Sequence, residues 1–77
     1  MGPDFYSQDI VMNITLNGQP KTLENVATVA DLIRFLGYEG KRIAVERNGD
    51  IVPKSQHGQQ MLADGDELEI VVAVGGG

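Results

Sequence analysis

Apolar and polar positions begin to alternate at Ile10. Ile10, Met12, Ile14 and Leu16 fall on one side, and Val11, Asn13 and Thr15 on the other. This period of two predicts a strand. Asn17-Gly18 follows it, and a tight hairpin turn needs positive φ at both central residues, which Asn and Gly supply. Residues 21–25, centred on Leu23, return as a second strand, with Pro20 near its start, where a missing N–H is tolerated. The period then changes. Val29, Leu32, Ile33 and Leu36 stand at i, i+3, i+4 and i+7, the single apolar stripe of a helix over residues 28–36. Thr28 and Asp31 have the spacing of a capping box, and Gly37 suits the left-handed residue that ends a helix.

Alternation resumes over residues 42–47, with Ile43 and Val45 on one face. Asn48-Gly49 is a second hairpin turn, and Ile51-Val52 a short return strand stopped by Pro53. Residues 54–60 are polar and read as a loop or one helical turn, and residues 63–66 as a tight turn. The last strand covers residues 67–74. Leu68, Ile70 and Val72 face one way, and Glu67, Glu69 and Val71 the other. The order is hairpin, helix, hairpin, strand. It predicts an α+β domain in which one helix packs on one face of a mixed sheet. Residues 1–11 show no period and read as a leader, and residues 75–77 as a glycine tail.

Composition narrows the function. The chain has 77 residues, so it is one small domain with a thin core. It has no Cys, which removes disulfides, thiolate zinc sites and a thiolate nucleophile. Six Lys and Arg against 11 Asp and Glu give a net charge of −5. With the basic residues scattered along the sequence, that balance argues against nucleic acid as a partner. No apolar run is long enough to span a membrane, and a cytoplasmic location is the default expectation.

The sequence carries no recognisable catalytic or metal-binding constellation. His57 is the single histidine and has no second group placed for acid–base work, so it is read as a surface or partner contact. The acids Asp64, Asp66, Glu67 and Glu69 lack the spacing of a calcium loop and read as a turn and a solvated strand face. Neither a phosphate-binding loop nor a dinucleotide fingerprint occurs among the glycines. No metal or catalytic residue is assigned. What remains is Gly75, Gly76 and Gly77. Glycine lacks a Cβ and adapts φ and ψ freely, so such a tail can thread a narrow channel in another protein.

The element order and the glycine end resemble the β-grasp, or ubiquitin-like, fold. Residues 12–77 are similar to the ThiS-type sulfur carriers of thiamine biosynthesis. The matching stretches are Met12-Asn13-Ile14-Thr15-Leu16-Asn17-Gly18 and Thr28-Val29-Ala30-Asp31-Leu32. Two more follow: Ala44-Val45-Glu46-Arg47-Asn48-Gly49-Asp50-Ile51-Val52-Pro53-Lys54, and Asp64-Gly65-Asp66 before the last strand. The Asn-Gly turn followed by Ile-Val-Pro and a base is the most family-specific of these. Two features depart from the family pattern. The chain has three glycines where the motif has two, and His57 stands where an aromatic residue is common.

The resemblance implies a leader at 1–11, a β-grasp domain at 12–74 and a tail at 75–77. It implies a carrier rather than an enzyme, with no cofactor bound by this chain. A partner adenylyltransferase, similar to ubiquitin-activating enzymes, uses ATP to adenylate the Gly77 carboxylate. A persulfide donor then replaces AMP with sulfur, leaving a thiocarboxylate that thiazole synthase consumes. Gly75 and Gly76 thread the tail into the partner. Val71, Ala73 and Ala44 form an apolar partner surface on the open sheet face, with Glu67 and Glu69 at its edge. Two rivals share the fold and the tail: a molybdopterin-synthase-type sulfur carrier and a ubiquitin-like protein modifier. The approach to the glycines, Val71-Val72-Ala73-Val74, lacks the aromatic and proline residues expected of the first.

Overall fold

The computed structural model describes residues 10–73. The leader up to Asp9 lies outside the described residues, as do Val74 and the glycine tail. The elements are β1 (Val11–Leu16), β2 (Gln19–Glu24), α1 (Val29–Phe35), β3 (Ile43–Arg47), β4 (Asp50–Ile51), a 3-10 turn (Lys54–Gln56) and β5 (Glu67–Val72). The five strands form one sheet in the order β2-β1-β5-β3-β4. β5 is central. It runs parallel to β1, with Thr15 opposite Glu67, and antiparallel to β3, with Val45 opposite Ile70. The mixed sheet and single helix agree with the α+β expectation.

Each boundary has a local cause. β1 and β2 pair through the Asn17-Gly18 turn, with Asn17 at φ +52°. β2 starts at Gln19 and so includes Pro20, which is acceptable because β2 is an edge strand. At the start of α1 the Thr28 hydroxyl accepts from the Asp31 N–H at 3.1 Å, and the Asp31 carboxylate accepts from the Thr28 N–H at 3.2 Å. Gly37 at φ +79° follows the C-cap residue Leu36 and ends the helix. The helix is therefore one residue shorter at each end than the 28–36 span expected from the sequence, with Thr28 and Leu36 as its caps.

The core lies between α1 and one sheet face. Leu23, Leu32 and Val29 are fully buried, together with Val45 and Leu68. Two core residues come from connections instead of elements. Val26 and Leu62 are buried, and the Leu62 N–H donates to the Ala27 carbonyl at 2.8 Å. Ile10 departs from the strand pattern: it precedes β1 and is half exposed.

Candidate functional site

The open face of the sheet carries all five residues expected to meet a partner. Val71 and Ala44 lie opposite each other on β5 and β3. Val71 is 63% exposed, and Ala44 and Ala73 are exposed as well. Glu69 lies opposite Glu46 two pairs further along, and Glu67 starts the strand. The face is thus apolar toward the end of β5 and acidic toward its beginning. Gly75, Gly76 and Gly77 lie outside the described residues, which end at Ala73.

The strand that leads toward those glycines is held at its start and near its middle by asparagines. The Asn17 side chain accepts from the Ile70 N–H at 2.8 Å and donates to the Ile70 carbonyl at 3.2 Å. Asn48, at φ +51°, accepts from the Glu67 N–H at 2.8 Å. Both residues were legible as hairpin turns. Their side-chain grip on β5 was not, because it links positions far apart in the chain.

Asp66 is a buried acid just before β5. Its carboxylate accepts from Arg47 Nε at 2.7 Å, from the Asn48 side-chain amide at 3.1 Å and from the Ala63 N–H at 2.8 Å. Burial pushes the Asp66 carboxyl up. The Arg47 guanidinium, the Ala63 amide and the Asn48 side chain together outweigh that and hold it below the usual carboxylate range. Asp64 is occupied too, accepting from the Asn13 N–H at 2.6 Å. These acids serve to position the turn: the Asp66 carbonyl accepts from the Thr15 N–H, which starts the β1–β5 pairing. Among the described residues no group of three His, Cys, Asp or Glu is placed to hold a metal ion.

His57 differs from a free surface residue. It is half buried, and its ring Nε2 lies 3.1 Å from the Val52 carbonyl. Its own carbonyl accepts from the Ala30 N–H at 2.8 Å, so it ties the loop after the 3-10 turn to α1.

A small mixed sheet gripping one helix, with its central strand running out toward a glycine segment, defines a β-grasp protein. A profile of the ThiS family matches residues 14–77, and the chain belongs to that family. It is 38% identical to the sulfur carrier protein ThiS of Bacillus subtilis, over 83% of this chain and 98% of that protein. It is 44% identical over 66 residues to a thiazole synthase of Paramagnetospirillum magneticum. That match takes in 86% of this chain and spans only 20% of the thiazole synthase. The crystal structure of the thiamine biosynthesis protein ThiS from Geobacter metallireducens superposes with a TM-score of 0.72 at 30% identity. It covers 86% of this chain and all of that one. Among the described residues no helix is long and apolar enough to cross a membrane.

Proposed function

We propose that this chain is a cytoplasmic sulfur carrier for thiazole formation in thiamine biosynthesis. The observation that carries the reading is the ThiS-family match running through residue 77, and so through all three glycines. The near full-length likeness to the Bacillus subtilis carrier supports it. So does the position of the apolar Ala44–Val71 pair at the end of β5 nearest the glycines.

In this reading the Gly77 carboxylate is the reacting group. A carboxylate is a poor acyl donor until one oxygen becomes a good leaving group. An adenylyltransferase binds the carrier and ATP, the carboxylate attacks the α-phosphate, and pyrophosphate leaves. The terminal sulfur of a protein persulfide then displaces AMP. Cleavage of the resulting S–S bond by a thiol leaves the thiocarboxylate on Gly77. Thiazole synthase takes the sulfur from there. Gly75 and Gly76 pass the tail through the enzyme's channel, because a backbone without Cβ atoms is narrow. Val71, Ala73 and Ala44 bury apolar area against the partner, and Glu67 and Glu69 steer its approach. The chain itself contributes shape and a carboxyl group, and the adenylyltransferase supplies the electrostatic stabilisation.

Incubation with ATP, the cognate adenylyltransferase and a persulfide donor tests this. The intact mass should rise by the difference between one sulfur and one oxygen atom. An unchanged mass accompanied by higher-mass lysine conjugates would instead make the chain a protein modifier.

A further inference from the structure

Four of the chain's six Lys and Arg residues, Arg34, Lys41, Arg42 and Lys54, line a single groove. In the sequence they are scattered among acids. The fold gathers them where the end of α1, the 38–42 connection and the start of β3 meet the 3-10 turn. The groove has a volume of about 560 Å³ and an apolar floor that includes Ile33 and Ile43. Among the described residues that line it, Glu39 is the one acid. Arg34 pairs with Asp31 at 2.7 Å, but among the described residues Lys41, Arg42 and Lys54 have no ion-pair partner. A concentration of unneutralised cations on a chain of net charge −5 is a local reversal of sign, and it selects an acidic partner.

The same groove borders an open sheet edge. Among the described residues β4 pairs only with Glu46 and Arg47 of β3, and the Val52 N–H reaches the Val45 carbonyl at 2.9 Å. On the other side of β3, the Arg42 carbonyl accepts from the Ala73 N–H at 2.9 Å. Ladder bonds alternate in direction along an antiparallel strand, so the N–H and C=O of Ile43 are turned away from β5. Among the described residues no strand pairs there. An exposed edge of this kind accepts an added strand from another chain.

We propose that this groove, with the Ile43 edge as its backbone rail, docks an extended acidic segment of thiazole synthase. Charge complementarity selects the acidic segment, and the free edge selects an extended one. The partner's name rests on the carrier reading above, and on the relatives in which a stretch like this chain forms one fifth of a thiazole synthase. The groove also touches Val71 and Ala73, so a segment seated in it lies beside the end of β5. It is electrostatically opposite to the acidic end of the open face, where Glu46, Glu67 and Glu69 sit.

The test is calorimetric titration of the full chain with purified thiazole synthase from the same organism, at low and high salt. The wild-type affinity should fall as salt rises. The double variant Lys41→Glu/Arg42→Glu should bind about tenfold more weakly or worse, with a flatter salt dependence. Both side chains are exposed, so its thermal midpoint should stay near that of the wild type. Lys54→Glu, on a different segment, gives the same answer should the double variant fold poorly. Unaltered affinity in these variants, salt-independent binding, or no binding of the wild type overturns the proposal. So does an oligonucleotide that occupies the groove more tightly than the enzyme. The mass measurement separates the two readings. A wild type that binds through the groove but never gains sulfur keeps the groove and loses the carrier. A chain that gains sulfur but ignores the charge reversals keeps the carrier and loses the groove.

Discussion

The side-chain amide of Asn17 pairs with the backbone of Ile70 as a second strand would. It accepts from the Ile70 N–H at 2.8 Å and donates to its carbonyl at 3.2 Å. β1 has already turned into the hairpin at this point, so one side chain prolongs its pairing with β5. Asn17→Gly keeps the positive φ that the turn requires and removes both bonds. It should cost about 1–2 kcal/mol, at roughly 1 kcal/mol net per hydrogen bond. Urea unfolding measures the loss, and faster hydrogen exchange at the Ile70 amide should accompany it. Unchanged stability would mean that the side chain contributes nothing to holding β5.

The Asp66 cluster sets the acid limb of stability. The folded carboxyl lies below its ordinary value of 3.8, whereas the unfolded one does not. The stabilisation is therefore fully present above the unfolded value and is lost as pH falls through the folded one. Asp66→Asn should lower stability at neutral pH by about 1–3 kcal/mol, since it leaves Arg47 without its carboxylate. It should also flatten the decline below about pH 5. Some decline should persist, because the amides of Ala27 and Thr28 and the Arg34 side chain hold Asp31 low in the same sense. Thermal melts from pH 3 to 7 report both effects.

Thr28 holds the start of a helix of only two turns. Thr28→Ala removes the hydroxyl that accepts from the Asp31 N–H and should cost about 1 kcal/mol. Leu32→Ala removes a fully buried side chain from the same helix and should cost about 2–5 kcal/mol. The ratio of the two losses in denaturant unfolding shows whether packing or capping dominates. Packing is expected to, because so short a helix is marginal alone.

Val71→Glu tests the open face separately from the fold. Val71 is 63% exposed, so stability should change by no more than about 0.5 kcal/mol. A new charge beside Ala44 should weaken binding of the adenylyltransferase, read as a slower gain of sulfur mass. Unaffected sulfur loading would remove this face from the partner surface.

Much of this architecture was legible in the sequence because its signals are local. The Asn-Gly turns, the capping pair Thr28 and Asp31, and the alternation of Leu68 and Ile70 each depend on neighbours within a few residues. Val26 and Leu62 were missed as core because they sit in connections without a period. Asp66 read as part of the tight turn before the last strand, since nothing nearby announces Arg47 as its partner. The basic groove was the least legible feature. Arg34, Lys41 and Lys54 are separated by acids in sequence, and only the closing of β3 against β5 and α1 brings them to one place. The element order and the terminal glycines already pointed to an α+β domain with a threading tail, and the resemblance to ThiS carriers added the β-grasp family and the chemistry of the tail.

The central position of β5 has a mechanical consequence. A pull applied beyond Ala73 and directed along the strand would not peel ladder bonds one at a time. It would load the bonds to β1 and to β3 together, in shear, with the asparagine grips at Glu67 and Ile70 sharing the load. An enzyme could draw on the end of the chain strongly while the domain behind it stayed folded, as an anchored tether requires.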